Sequence, residues 1–245
     1  MKIFGLIGQS LSHSFSQNYF NSFFSQNKLH DHIYINFEIN TPGELADILK
    51  SFPELKGLNV TIPYKTAIIP YLDDLDPLAK EINAVNCIKI NQENNSIMGY
   101  NTDYTGFKNA LLSFINADVK NALILGTGGV SKAVKKVLDD LGINAQFVSG
   151  TQEQALRYGD LKGKLSHYQL IINCTPLGTF PEINACPDIP YEELSSKHYL
   201  FDMVYNPTES LFLKKGLERG CSGKNGHEML ELQAKASWEI WRSFL

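Results

Sequence analysis

Two side chains in the first half of the chain, Lys65 and Asp103, could between them move a proton. Lys65 closes the stretch Gly57 to Lys65, a predicted strand running into Pro63, so a proline turn fixes its stem. Asp103 follows Asn101 and Thr102 where one run of elements gives way to the next. A positioned ammonium can protonate an oxygen that is gaining negative charge. A nearby carboxylate can hold that ammonium and bind a hydroxyl. Each residue also has a plainer reading: a solvated loop lysine, and an N-cap for a helix starting at Tyr104. Spacing leaves both readings open.

A third feature supplies context. Ala122 to Leu125 is a short apolar run that predicts a buried parallel strand, and it runs straight into Gly126-Thr127-Gly128-Gly129. Val130, Ala133, Val134, Val137 and Leu138 then recur at helical spacing. Strand, glycine turn and helix in that order suit a dinucleotide. Gly126 allows the tight turn, Gly128 lets backbone approach a pyrophosphate, and the helix start from Gly129 to Ser131 aims free N–H groups at that charge. Ser131 stands where the third glycine of G-x-G-x-x-G would be. An ordinary strand-to-helix turn that needs glycine is the competing reading.

The surrounding pattern alternates strand and helix, as α/β layers do. Predicted strands are Ile3–Ile7, Ile33–Ile39, the stretch from Gly57, Val85–Ile90 and Ile97–Tyr100. Predicted helices between and after them are Gln17–Gln26, Glu44–Phe52 and Tyr104–Asn116, with helix-like segments up to Ala84. Past the glycine turn come strands at Ala145–Val148, Leu170–Asn173 and His198–Met203. Helices are expected at Gln152–Tyr158, Leu211–Arg219 and His227–Phe244, with a glycine-rich turn from Gly220 to Gly226. We therefore expect two α/β domains: residues 1–101 plus 227–245, carrying substrate and catalytic groups, and residues 102–226, a Rossmann-like dinucleotide domain to which the closing helix does not belong.

Composition narrows the function. The 245 residues are 43% hydrophobic and 20% charged, with a net charge of −4, which favours neither nucleic acid nor an acidic membrane. The start of the chain reads as a first strand rather than a signal peptide, and no apolar run is long enough for a membrane span. Cys87, Cys174, Cys186 and Cys221 are widely spaced, so neither a zinc site nor a disulfide framework is expected, and a reducing cytoplasm is. No metal is expected, and the chain would act as a monomer or homodimer on a small molecule.

Seven segments stand in order: Ser12-His13-Ser14-Phe15-Ser16, Asn59 to Lys65 (N-V-T-x-P-x-K), Ala84-Val85-Asn86, Asn101-Thr102-Asp103, Gly126 to Gly129, Asn173 to Gly178 (N-x-T-P-x-G), and Gly226 with Met229, Leu230, Gln233 and Ala234. Together they resemble the shikimate dehydrogenase family. The resemblance implies reversible reduction of 3-dehydroshikimate to shikimate with a nicotinamide cofactor, NADP in this family, with Lys65 and Asp103 as the catalytic pair. It implies that Ser14, Ser16, Thr61, Asn86 and Gln233 bind the polyol and carboxylate alongside that pair, with Tyr205 completing the pocket. Hydroxyls and amides suit a ring bearing three hydroxyls. Gly126, Thr127, Gly128, Gly129 and Val130 would hold the pyrophosphate, and Met203 and Gly226 would frame the nicotinamide. His13 reads as a loop hydrogen-bonder rather than the acid. A broader quinate/shikimate dehydrogenase and a non-catalytic binding paralogue are the alternatives.

The chain also departs from the family. Ser149-Gly150-Thr151 stands where an N-R-T-like segment is usual, so the arginine expected at the 2′-phosphate of NADP is missing. The hydroxyls of Ser149 and Thr151, with Lys132 or Arg157, are left to meet that phosphate, and NAD becomes possible. Asn83 replaces a glycine before Ala84, and Thr127 and Cys174 replace small apolar residues.

Overall fold

The computed structural model describes every residue except His13, Gln92, Asn95, Phe244 and Leu245. The reading of His13 as a hydrogen-bonder and part of the turn from Gln92 to Ser96 therefore lie outside the described residues. The chain divides into two compact units, Met1–Thr102 with Gln233–Leu245, and Asp103–Leu232. The first division falls after Thr102 rather than Asn101, and the second falls inside the closing helix rather than at its start.

The first unit is built on β1 (Lys2–Gly8), β2 (His32–Glu38), β3 (Leu55–Val60), β4 (Asp74–Leu75), β5 (Cys87–Asn91) and β6 (Ser96–Tyr100). They form a mixed sheet in the order β2-β1-β3-β5-β6-β4. β1 is parallel to β2 and β3, while β5 runs antiparallel to both β3 and β6. Alternate side chains of β1 enter two cores. Ile3 and Ile7 pack with α2 (Leu45–Ser51), Tyr64 and Ile68, whereas Phe4 and Leu6 pack with α1 (Phe15–Gln26) and with Trp238 and Trp241 of the closing helix. Gly57 makes room for that helix: a Cβ there would lie 2.2 Å from Trp241 Nε1, which donates to the Ile88 carbonyl at 3.0 Å. The short α3 (Pro77–Ile82) ends on Asn83 in the left-handed region, φ 54°. That conformation explains why glycine is usual there and why asparagine serves.

The second unit holds β7 (Asn121–Leu125), β8 (Asn144–Val148), β9 (Leu170–Asn173), β10 (Tyr199–Asp202) and β11 (Ser222–Lys224), all parallel, in the order β11-β10-β9-β7-β8. Counted along this unit, that is the doubly wound order 2-1-3-4-5. Ala122 and Ile124 face a core with α4 (Thr102–Leu112) and α5 (Gly129–Asp140); Leu123 and Leu125 face another with α6 (Leu211–Leu217). The closing helix, α7, spans His227–Arg242.

Three local expectations fail. Gln152–Tyr158 forms no helix, because Leu156 donates its N–H to Phe147 O and accepts from Ser149 N, which binds the segment to the end of β8. The Gly220–Gly226 turn contains β11, a strand with no apolar alternation to announce it. The fourth helix starts at Thr102, so Asp103 lies inside its first turn and is not an N-cap for Tyr104.

Candidate active site

In the first unit, two of the expected substrate residues, Asn86 and Gln233, share one buried polar network. Asn86 and Gln233 are 3% and 9% exposed. Asn86 Oδ1 accepts from Thr102 N at 2.7 Å, and Asn86 Nδ2 donates to Thr102 Oγ1 at 3.0 Å and to Gln233 Oε1 at 3.4 Å. Asn59 Nδ2 donates to Ser237 Oγ and to the Asn86 carbonyl, while its Oδ1 accepts from the Tyr34 hydroxyl. Burial holds the Tyr34 phenol well above its ordinary pKa, so it remains a donor, and the Ser16 hydroxyl bonds to it in turn. The sequence points to Asn86, Gln233 and Ser16 as substrate residues but gives no such role to Tyr34, Thr102 or Ser237, whose separations hide the contact.

Ser14 differs from its neighbours. It is the N-cap of α1, yet its side chain makes no capping bond, and its Oγ is buried without a hydrogen-bond partner among the described residues. A buried hydroxyl left unpaired is costly unless a ligand completes it. Thr61 follows β3 and donates its N–H to Ile7 O. Lys65 is half-buried rather than a freely solvated loop lysine. Its carbonyl accepts from Val85 N at 2.7 Å, and the neighbouring Tyr64 is buried with its hydroxyl on Ile39 O at 2.8 Å.

In the second unit, the expected cofactor residues collect at the carboxyl ends of the parallel strands. Gly126 N donates to Val148 O, Cys174 N to Leu125 O, and Met203 N to Asn173 O, so the four strand ends are laced together. Gly126 is needed for its own conformation, with φ 98° and Thr175 3.0 Å from a would-be Cβ. Gly128 is not: a Cβ there would meet nothing within 4 Å. Its missing side chain is useful only if something outside the fold comes close, as a pyrophosphate would. Gly128 caps α5, and the helix start it leaves open at Gly129 and Val130 presents N–H groups suited to an anion. Ser131, in the third glycine position, is fully buried and its hydroxyl donates to Gly128 O at 2.6 Å. A small side chain that satisfies itself thus preserves close packing of helix on sheet.

The structure brings Met203 and Gly226 together. Gly226 N donates to Val204 O, and a Cβ on Gly226 would lie 2.4 Å from the Met203 carbonyl oxygen. Gly226→Ala must push backbone apart, and we expect it to lower stability by about 1–3 kcal/mol. An unchanged thermal midpoint would show that the contact relaxes freely. Tyr205, half-buried in the loop after β10, has its phenol raised by burial and so stays a donor. Asp103 is 4% exposed in the first turn of α4, where a carboxylate suits the helix dipole.

Sequence reading missed Asp202. It is fully buried at the end of β10 and accepts from Asn173 Nδ2, Val204 N and Ser210 Oγ. Asn173 Oδ1 in turn accepts from Thr175 N and Oγ1, and Thr175 packs on Gly126. Burial pushes the Asp202 carboxyl up to about 6.

A doubly wound parallel unit with a glycine turn at its switch point, in a chain whose other unit carries a mixed sheet and a buried amide-and-hydroxyl network, defines a dinucleotide-dependent α/β enzyme. Residues 6–88 match the family model for the shikimate dehydrogenase substrate binding domain. The shikimate dehydrogenase (NADP(+)) of Methanococcus vannielii is 37% identical over 99% of this chain and 92% of its own. A crystal structure of shikimate dehydrogenase 1 from Peptoclostridium difficile is 36% identical, with a TM-score of 0.84 over 99% of this chain and 92% of that one. The enzyme of Thermus thermophilus, solved with NADP(H) and shikimate, is 28% identical with a TM-score of 0.86, over 100% of this chain and 95% of that one. The chain belongs to the shikimate dehydrogenase family.

Proposed function

We propose that the protein is an NADP-dependent shikimate dehydrogenase, catalysing the reversible reduction of 3-dehydroshikimate to shikimate. Near full-length likeness to shikimate dehydrogenases (NADP(+)) supports the reaction and its cofactor. The observation that carries the substrate assignment is the Asn86–Thr102–Gln233 cluster, together with a buried Ser14 hydroxyl that has no partner among the described residues. When bound, NADPH supplies the hydride. Lys65 gives the proton that completes the new hydroxyl and takes it back in the reverse direction. Asp103 accepts a hydrogen bond from a ring hydroxyl. Ser14, Ser16, Thr61, Asn86, Gln233 and Tyr205 orient the ring and its carboxylate. Gly126 to Val130 cradle the pyrophosphate, and Met203 and Gly226 line the nicotinamide. No helix among the described residues is long and apolar enough to cross a membrane. We place the enzyme in the cytoplasm, where Cys87, Cys174, Cys186 and Cys221, free thiols in the structure, would stay reduced.

The direct test is the shikimate-dependent rise in absorbance of reduced nicotinamide on the purified chain. Its absence with NADP+ and saturating shikimate would reject the reading. A finer test concerns Ser14. Ser14→Ala removes a hydroxyl that finds no partner among the described residues, so it should raise KM for shikimate by the equivalent of about 0.5–3 kcal/mol and leave the thermal midpoint unchanged. A lowered midpoint with KM intact would make Ser14 structural.

A further inference from the structure

In a parallel sheet of this order, the residue just past the second strand decides whether a bare ribose or a 2′-phosphate is accepted. An acid bonds the 2′-OH and repels phosphate, whereas an arginine pairs with the phosphate. Here β8 ends at Val148 and Ser149-Gly150-Thr151 follows, with neither selector. The Ser149 hydroxyl is already spent on the turn, accepting from Thr151 N and Gln152 N at 3.2 Å each.

The fold delivers a cation from further along the chain. Ala155 and Leu156 return alongside the end of β8, where Leu156 forms an isolated parallel bridge with Val148. Leu156 N donates to Phe147 O and Ser149 N to Leu156 O, both at 2.9 Å. The next residue, Arg157, is thereby set beside Ser149, and its Nη1 donates to the Ser149 carbonyl at 3.3 Å. Its backbone N–H is held by Asp160 Oδ2 at 2.9 Å. The side chain is exposed, and this bond engages one of the five guanidinium N–H groups. The same pairing that prevents a helix at Gln152–Tyr158 therefore plants a guanidinium at the carboxyl end of β8.

We infer that Arg157 is the specificity-determining residue for the cofactor, pairing with the adenosine 2′-phosphate in place of the arginine absent from Ser149-Gly150-Thr151. This rests on the NADP-dependent reading above.

The test is calorimetric binding of 2′,5′-ADP, 5′-AMP, NADP+ and NAD+ to the full chain, which needs no turnover. Arg157→Ala should weaken 2′,5′-ADP and NADP+ by roughly ten- to a hundredfold and leave 5′-AMP and NAD+ within about twofold. Gly150→Arg in that background should recover much of the loss, since a Cβ at Gly150 meets nothing within 4 Å and its backbone is not left-handed. Equal weakening of all four ligands would make Arg157 a support for the turn, and no weakening of any would remove it from the site. Either result overturns the inference. A wild type that binds none of the four would instead overturn the cofactor reading beneath it.

Discussion

Replacing Lys65 with alanine should lower kcat by roughly 10² to 10⁴ and leave the dissociation constant of NADP+ nearly unchanged. That is about 3 to 5.5 kcal/mol of lost transition-state stabilisation. The split follows from the proposed roles: Lys65 would act on the oxygen of the substrate, whereas Gly126 to Val130, Met203 and Gly226 are the residues proposed to hold the cofactor. Truncation at Cβ also leaves the local backbone intact, because the Lys65 carbonyl is held by Val85 N and Tyr64 is anchored on Ile39 O. A loss of kcat with normal melting would then report chemistry rather than folding. Lys65→Arg separates two roles for the ammonium. Arginine keeps the positive charge but does not release a proton at any working pH. If Lys65 is the acid, kcat stays low in Lys65→Arg; if it only stabilises charge, much of the activity returns. A kcat for Lys65→Ala within roughly threefold of wild type, or about 0.7 kcal/mol, would remove Lys65 from the mechanism.

The readable parts of this chain were those where neighbours in sequence do the work together. Ala122 to Leu125 announced a buried parallel strand, and the strand is fully buried with partners on both sides. The glycine turn and α5 followed for the same reason, since turn geometry and helical spacing are local. The missed features depend on contacts between distant residues. Leu156 could have entered a short helix on its own propensity, but pairing with Phe147 and Ser149 overrode that. β11 has a serine, a glycine and a lysine, and only its register against Tyr199–Phe201 makes it a strand. The network around Asn86 joins positions as far apart as Asn59 and Ser237, which no spacing rule connects. Asp202 looked like the end of a strand, with nothing in Asp202-Met203-Val204 to show that three donors converge on its carboxylate.

That carboxylate gives the largest expected effect on stability. Asp202→Ala strands the Asn173 amide, the Val204 N–H and the Ser210 hydroxyl in a fully buried site. We expect a loss of about 2–4 kcal/mol near neutral pH. The loss should grow in acid, and the sign follows from burial, the strongest influence on this group. Burial raises the folded-state pKa from 3.8 to about 6, so between those values the native state holds a proton the unfolded chain has released. The stability that Asp202 contributes is then fully present below the unfolded pKa and is lost as pH rises through about 6, by about 3 kcal/mol in all. The alanine variant lacks that dependence. Chemical denaturation at about pH 4.5 and about pH 7.5 should show a gap between wild type and variant that is wider in acid by about 2 kcal/mol. Proton uptake also has a place to go: Ser210 can turn its hydroxyl and accept from a protonated Asp202 while still capping α6 through Leu213 N. A gap that instead widens as pH rises would mean the three donors outweigh burial. Asp202 would then be an ordinary ionised anchor for the strand ends that carry Asn173, Thr175 and the glycine turn.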